Sequence, residues 1–110
     1  MRIQIVNEND EYIGAKERSE IDHGTDIYRV SALWLINSLG QVLLAKRAAT
    51  KDHSPGKWGP AVAGTVEESE TYDENIRKEA KEEIGLVDVN VTKGKKTRIT
   101  YPKNYFCQWY

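Results

Sequence analysis

Three glutamates, Glu79, Glu82 and Glu83, are the residues whose type and spacing most clearly indicate chemistry. Steps of three and four residues place their side chains on one stripe of an α-helix, because successive residues lie about 100° apart around the axis. Like charges at this spacing repel each other in water, whereas a hard divalent cation prefers clustered carboxylate oxygens and substrate phosphates as its ligands. The pattern therefore predicts a metal site for phosphate chemistry.

The helix that carries these glutamates has clear end signals. Thr71 with Glu74 three residues later forms a capping-box signature, and Gly85 stands where a left-handed C-terminal cap is expected, so we predict a helix over Tyr72–Ile84. An apolar residue at every fourth position predicts the stripe that packs on a sheet: Tyr72, Ile76, Ala80 and Ile84.

The segments before the helix are typical of short strands. Alternating residues at Arg2–Val6, a polar turn and residues 11–13 predict a hairpin that forms a cap or an edge away from the site. Residues 30–36 predict a central strand, which turns at residues 37–40 and returns as residues 41–46. A polar loop over residues 48–59 is expected to border the substrate cleft, and residues 60–63 predict a short strand.

After the helix, alternation predicts strands at residues 87–91, at residues 97–101 and at Tyr105–Trp109. Asp88 is the one acidic residue that follows Glu83 in the sequence. An apolar sheet face left uncovered by this chain would be an aggregation hazard, so a partner chain is one expected cover for it.

Composition limits the chain to one compact domain, residues 1–110, because 110 residues with 39% hydrophobic content suffice for a single core. A net charge of −1 disfavours nonspecific binding of nucleic acid. No apolar run approaches the length of a membrane span, and the N-terminus lacks a signal-peptide core, so we expect a cytoplasmic protein. The single cysteine, Cys107, is predicted to be a strand residue and not a nucleophile.

Residues 64–86 resemble the Nudix box, whose pattern is G-x5-E-x7-R-E-U-x-E-E-x-G-U with U an aliphatic residue. Lys78 replaces the arginine of that pattern, and Ala80 and Leu86 fill two aliphatic positions. The strict positions are occupied by Gly64, Glu70, Glu79, Glu82, Glu83 and Gly85.

The resemblance implies an α/β fold, a Nudix α/β/α sandwich with a mixed sheet. It also implies that Glu79, Glu82 and Glu83 coordinate Mg²⁺ or Mn²⁺ with help from a backbone carbonyl of Ala63 or Gly64. One glutamate would take the proton of an attacking water, with Glu79 and Glu82 both open as that base, and Glu70 would support the loop. The usual C-terminal strand and second helix of such domains have no counterpart here, so either truncation or a homodimer is expected.

Basic side chains predict where the phosphates of a small diphosphate substrate bind. Arg47 is our first choice, followed by Lys46, and Arg98 is a third basic candidate. His23 and His53 have no supporting pattern and are expected on the surface. Aromatic residues could stack on a base or belong to the core: Trp34, Trp58 and Tyr101.

Residues 32–64 are similar to the isopentenyl-diphosphate isomerase branch of the same superfamily. Those isomerases use a cysteine just before the box glycine and bind metal through histidines, whereas this chain has Ala63, Thr65 and Tyr28 at the corresponding positions. The isomerases protonate an alkene with that cysteine, and alanine has no titratable group that could replace it. We therefore predict a different reaction, hydrolysis of a diphosphate linkage in a nucleoside-diphosphate-type or related small substrate. The alternatives are isomerase-like activity and a catalytically weak binding module with the Nudix fold. Lys78 argues for the binding module.

Overall fold

The computed structural model describes residues 1–50, 56–88 and 90–110. Within those ranges the chain forms ten β-strands, one α-helix and a single 3-10 turn at Arg18–Glu20. The strands before the helix are β1 (Arg2–Val6), β2 (Tyr12–Glu17), β3 (Ile27–Leu33), β4 (Leu35–Ile36), β5 (Val42–Leu43), β6 (Ala45–Lys46), β7 (Trp58–Gly59) and β8 (Val62–Thr65). The remaining elements are α1 (Tyr72–Ile84), β9 (Lys96–Ile99) and β10 (Tyr105–Trp109).

The main sheet is mixed, as predicted. Its strands follow the order β2-β1-β3-β10-β9, and β8 pairs with β3 as a sixth strand. The β3–β10 pair is parallel, whereas the other pairs of this sheet are antiparallel. Two small sheets, β4–β5 and β6–β7, lie outside it. None of the helices in the described ranges is long and apolar enough to span a membrane.

The central strand β3 separates two apolar clusters. Leu33 packs in the cluster that contains helix residues, whereas Tyr28 packs with Ile3 and Ile5 in the other cluster. Alternate side chains of a strand point to opposite faces of a sheet, so β3 contributes to both layers. The sheet face that carries Tyr28 is therefore the one that points away from the helix.

The helix has the predicted bounds. Thr71 Oγ1 accepts a hydrogen bond from the Glu74 N–H at 3.1 Å, and the Glu74 side chain accepts one from the Thr71 N–H at 3.0 Å. Gly85 ends the helix with a φ of 69°, a left-handed conformation that costs glycine little. Three residues of the predicted stripe, Tyr72, Ile76 and Ala80, are buried, whereas Ile84 in the last turn is 37% exposed.

The predicted strand over residues 87–91 is wrong. Residue 89 lies outside the described ranges, and residues 87, 88, 90 and 91 follow irregular backbone. Asp88 has a φ of 53°, which turns the chain away from an extended path. Val91 nevertheless packs against the cluster that contains the helix, so its apolar character reflects burial in a loop.

The N-terminal hairpin is confirmed, and its strand β2 lies at an edge of the main sheet, as expected. Strand β1 pairs with both β2 and β3, and it is therefore an inner strand. Its apolar residues Ile3 and Ile5 are buried on one face, while the Gln4 side chain donates to the backbone carbonyls of Glu68 and Glu70. Both faces of β1 are thus in contact with the fold, which an edge strand does not require.

The central hairpin at residues 30–46 is confirmed with shifted limits. Strand β3 begins at Ile27 and ends at Leu33, and β4 then pairs with β5 around the turn. The Asn37 side chain accepts hydrogen bonds from the N–H groups of Leu39 and Gln41, which fixes that turn. The returning segment is interrupted after β5 because β6 pairs with β7 instead.

The other strands differ from prediction by a few residues. Strand β8 covers Val62–Thr65 where residues 60–63 were predicted, and β9 covers Lys96–Ile99 where residues 97–101 were predicted. Strand β10 has the predicted bounds, Tyr105–Trp109. Part of the predicted loop over residues 48–59, including His53, lies outside the described ranges.

Candidate functional site

Glu79 lies directly against Gly64, the glycine of strand β8 that pairs with Ser31. A Cβ atom built on Gly64 would lie 2.4 Å from Glu79 Cγ and 2.8 Å from Glu79 Oε1. Real Cβ contacts are never this short, so the position of the Glu79 side chain requires glycine at residue 64. The first glycine of the box and the first glutamate of the triplet are therefore in contact.

Glu79 also forms an acidic pair with Glu83. Burial raises the pKa of the Glu79 carboxyl to about 7, and a hydrogen bond and charge repulsion from Glu83 add to that effect. Charge repulsion from Glu82 acts in the same direction, while Lys78 partly opposes it. Two carboxyls held this closely cannot both ionise easily, and a nearby cation relieves their repulsion.

The three glutamates do not converge into one ready set of ligands. Among the residues described, no group of three or more His, Cys, Asp and Glu side chains is arranged to hold a metal ion. The structure brings Glu79 and Glu83 together but leaves Glu82 and Glu83 exposed on the helix. The donor chemistry still fits a hard cation, because a pair of mutually repelling carboxyl groups lies beside a glycine that leaves room for close approach.

Lys78, which replaces the arginine of the box, bridges two carboxylates of the preceding loop. Its ammonium group contacts Glu67 and lies 2.8 Å from Glu70 Oε2. Burial would lower the pKa of Lys78, but its hydrogen bonds with Glu67 and Glu70 outweigh burial and raise it above its usual value. Lys78 is therefore a charged link between the helix and the loop.

Glu70 supports the loop, as predicted. It accepts hydrogen bonds from the Glu67 N–H at 2.8 Å and from Asn75 Nδ2 at 3.0 Å. Burial alone would raise the pKa of Glu70, yet the bonds from Lys78, Glu67 and Asn75 hold it below the usual range. The carboxylate thus stays ionised and ties the loop to the helix.

Asn75 is a supporting residue that sequence analysis missed. It is fully buried, donates to the Thr65 carbonyl at 3.1 Å, and accepts a hydrogen bond from Ser31 Oγ at 2.5 Å. These bonds join α1 to β8 and β3 at the position of Gly64. A buried polar group is stable only with hydrogen-bond partners, so these bonds hold α1 at a fixed distance from Gly64.

A cleft of about 450 Å³ opens beside Gly64 and Glu79. Its floor is formed by the sheet face opposite the helix, including Tyr28, Val30, Ala32, Tyr105, Cys107 and Trp109. Ala63, Gly64 and Glu79 lie in its wall, so a molecule bound in the cleft would reach the Glu79 carboxylate.

A sequence model described as the NUDIX domain matches residues 26–110. This chain belongs to the Nudix superfamily. An uncharacterized Nudix hydrolase from Nostoc sp. is 38% identical over 90 residues, which cover 81% of this chain and 53% of that protein. A Nudix hydrolase from Deinococcus radiodurans is 35% identical over 85 residues, which cover 77% of this chain and 50% of that protein. This Nudix chain thus spans about half the length of the curated relatives it matches.

Solved structures show the same fold. The crystal structure of a Deinococcus radiodurans protein superimposes with a TM-score of 0.82 and 27% identity, covering 99% of this chain and 70% of that one. The MutT protein from Methanosarcina mazei matches with a TM-score of 0.68 and 21% identity, covering 76% of this chain and 60% of that one. Together with the mixed sheet, these likenesses confirm the predicted Nudix fold class.

Of the basic residues proposed from the sequence, Arg47 lies in the cleft of this Nudix domain. Burial raises the pKa of the Tyr105 phenol, and the positive charge of Arg47 partly offsets that effect. Arg47 therefore lies near Tyr105. Lys46 lies elsewhere, with its ammonium group 5.8 Å from the centre of the Trp58 ring. Arg98 pairs with Glu8 at 3.2 Å.

The aromatic side chains in the cleft differ from those considered from the sequence. Trp34, Trp58 and Tyr101 are all exposed, and Trp34 stacks on Trp109 with ring centres 5.6 Å apart. The aromatic floor consists of Tyr28, Tyr105 and Trp109. The parallel pairing of β3 with β10 sets Tyr28 beside Tyr105, and a single sequence carries no local signal for that pairing.

Cys107 is a buried strand residue, as predicted, and is 3% exposed. Burial raises the pKa of its thiol to about 12, so the thiol stays protonated near neutral pH. The thiol lies in the cleft floor, whereas Ala63 occupies the wall position at which the isomerases carry their cysteine. The reactive group of that chemistry is therefore missing at Ala63.

Proposed function

We propose that this Nudix domain takes part in divalent-metal-dependent hydrolysis of a diphosphate linkage in a nucleoside-diphosphate-type or related small substrate. The observation that carries the proposal is the contact of Glu79 with Gly64 in the cleft wall, together with the pairing of Glu79 and Glu83. Relatives that are named Nudix hydrolases support the same reaction class.

The metal would be Mg²⁺ or Mn²⁺, held by Glu79, Glu82 and Glu83 with the backbone at Ala63 and Gly64. Such an ion polarises a phosphoryl oxygen and lowers the pKa of a bound water. Of the three glutamates, Glu79 is the one that borders the cleft, so its carboxylate is our candidate to accept the proton of the attacking water.

The cleft offers complementary contacts for the rest of such a substrate. Arg47 supplies a fork of N–H donors that suits phosphate oxygens. Tyr105 and Trp109 present flat apolar surface on which a base or another organic group can pack. The phosphates of the linkage to be cleaved would then lie toward Glu79 and Arg47, with the organic part on the aromatic floor.

A binding module without turnover is the second candidate. The glutamates are not gathered into one ligand group among the described residues, and Lys78 provides a single ammonium group where the family carries a guanidinium fork. Isomerase-like activity has weaker support, because Ala63 has no proton to donate. A homodimer and a cytoplasmic location stay predictions.

Incubation of the purified protein with Mg²⁺ and a panel of substrates separates these functions. The panel contains nucleoside diphosphate derivatives, nucleoside triphosphates and isopentenyl diphosphate. We expect release of orthophosphate or a nucleoside monophosphate, lost in Glu83→Gln and retained in Glu20→Gln, a matched change at an exposed carboxylate outside the cleft. Formation of dimethylallyl diphosphate would favour the isomerase, and binding without any product would favour the module.

A further inference from the structure

A second cavity, of about 210 Å³, adjoins the cleft. The two spaces share Arg18, Tyr28, Thr65 and Lys103 as lining residues, so they are direct neighbours. His23 lies in the wall of the smaller space only. We call the smaller space the Arg18 cavity.

The lining of the Arg18 cavity is cationic. It contains a guanidinium, an ammonium and an imidazole group from Arg18, Lys103 and His23, and none of its described lining residues is acidic. Within the part of the chain that the structure describes, neither Arg18 nor Lys103 forms a salt bridge. The nearby Asp26 is instead paired with Lys16 at 2.8 Å. The cavity thus keeps a positive charge available for an anion.

The fold holds these groups together through Asn104. Asn104 Nδ2 donates to the His23 carbonyl at 2.6 Å, and the Asn104 carbonyl accepts from the Tyr28 N–H at 3.3 Å. These two bonds join the β2–β3 connection to the turn before β10, and they bring Lys103 beside Tyr28 and His23. The cavity is therefore built by specific contacts between distant segments.

Arg18 is fixed from the other side. Its backbone N–H donates to the Met1 carbonyl at 2.9 Å, and its Nη1 lies 3.5 Å from Thr65 Oγ1. Thr65 directly follows Gly64, against which Glu79 lies. The guanidinium group of Arg18 is thus located one residue along β8 from the candidate metal site.

We propose that the Arg18 cavity is a substrate subsite that binds a phosphate group, while the linkage to be cleaved lies at Glu79. The substrate class is a phosphorylated small molecule with a dianionic phosphate at the end that enters this cavity. This inference rests on the proposed function, because the subsite is assigned to the same substrate. Arg18 and Lys103 are its binding residues.

The chemistry of the lining suits a phosphate. Arginine and lysine form charge-assisted hydrogen bonds with phosphate oxygens, and the Thr65 and Tyr28 hydroxyl groups are further donors. Burial raises the pKa of Tyr28 to about 12, so its hydroxyl keeps its proton. Arg18 and His23 precede residue 26, where the match to the NUDIX domain begins, whereas Lys103, Tyr28 and Thr65 lie within that match, so the cavity combines groups from both parts of the chain.

The first test uses inorganic phosphate as the probe with the metal-chelated protein, followed by two-dimensional NMR. We expect saturable shifts of the amides of Tyr28 and Thr65, and about tenfold weaker binding in Arg18→Gln and in Lys103→Gln. Lys93→Gln, a matched loss of charge at an exposed lysine outside both cavities, should bind like the wild type. Equal affinity in all four proteins, or shifts confined to other regions, would overturn the inference.

The second test asks whether the bound phosphate belongs to the substrate. With any substrate that the protein hydrolyses, inorganic phosphate should inhibit competitively, and Arg18→Gln should raise KM about tenfold while leaving kcat nearly unchanged. Noncompetitive inhibition would assign the cavity to an effector and contradict a substrate subsite. Thermal melting of each variant checks that it is folded.

The two proposals fail in different ways. If no substrate is hydrolysed but phosphate still binds through Arg18 and Lys103, the proposed hydrolysis is wrong while the cavity remains a phosphate site without its assigned substrate. If hydrolysis depends on Glu83 but is indifferent to Arg18 and Lys103, the subsite is wrong while the proposed function stands.

Discussion

Glu79 and Gly64 are in such close contact that the position of a β-carbon on residue 64 is 2.4 Å from Glu79 Cγ. No positive φ is recorded at Gly64, so the backbone conformation itself does not demand glycine. The reason for glycine at this position is the space taken by the Glu79 side chain. That makes the contact testable by adding a single methyl group.

Gly64→Ala should displace the Glu79 carboxylate and lower kcat by about 100-fold, because small misplacements of a catalytic group are costly. The effect on stability should be small, since the displaced side chain is flexible and partly exposed. Gly14→Ala is the matched control, because a Cβ there would have no atom within 4 Å. Full activity in Gly64→Ala would show that the contact does not position Glu79.

Lys78→Met should leave Glu67 and Glu70 side by side without their cation. We expect the midpoint of thermal unfolding to fall. The free energy of unfolding should decrease by about 1–2 kcal/mol, because a partly buried charge network loses its cation. Activity should fall with it, because Glu70 fixes the loop before the helix. Lys78→Arg should restore both quantities. A Lys78→Met variant as stable and active as the wild type would contradict this role.

Arg47→Gln should raise KM about tenfold or more with little change in the fold, because charge-assisted bonds to phosphate are lost from the cleft. Lys46→Gln is the natural comparison, since Lys46 lies over Trp58 and does not line the cleft. Steady-state kinetics of both variants measure the difference. Equal KM values for the two variants would mean that Arg47 does not bind the substrate.

Asp10 gives a prediction for acid stability. Burial would raise the pKa of its carboxyl, but hydrogen bonds from Lys96, Arg29 and Tyr72 hold it below the usual value of 3.8. A lowered folded-state pKa means that this stabilisation is complete above pH 3.8 and is lost as pH falls below it.

Asp10→Asn removes the charge and keeps a residue that tolerates the φ of 59° at this position. The variant should lose about 2–3 kcal/mol of unfolding free energy at neutral pH, because the cations lose their partner. Its stability should also change less between pH 5 and pH 3 than that of the wild type, as urea titrations at several pH values would show. Parallel pH profiles for the two proteins would refute the assignment.

The helix and the box could be predicted from the sequence because their determinants are local. Thr71, Glu74 and Gly85 mark the helix ends within a few residues of the bonds they make. The spacing of Gly64 and Glu79 is part of a dense motif, and the structure brings these two residues together. The incorrect strand at residues 87–91 shows that alternation of polar and apolar residues is not sufficient to predict a strand. The positive φ of Asp88 leaves no mark in that pattern.

The cleft could not be predicted in the same way, because it depends on pairing between distant strands. Tyr28 lies beside Tyr105 only through the parallel alignment of β3 with β10. Arg18 directly follows the edge strand β2 and lines the cleft, whereas the hairpin was expected to lie away from the site. Sequence patterns specify which face of a strand is apolar but not which strand will be its neighbour.

The central proposal is that Glu79 and Glu83, with Glu82, would hold a divalent cation beside Gly64. Binding of Mn²⁺ to the purified protein, followed by the electron paramagnetic resonance of the free ion, tests it most directly. We predict saturable uptake that Glu79→Gln and Glu83→Gln each weaken at least tenfold, whereas Glu20→Gln leaves it unchanged. Absence of uptake, or uptake that is the same in all four proteins, would contradict the account.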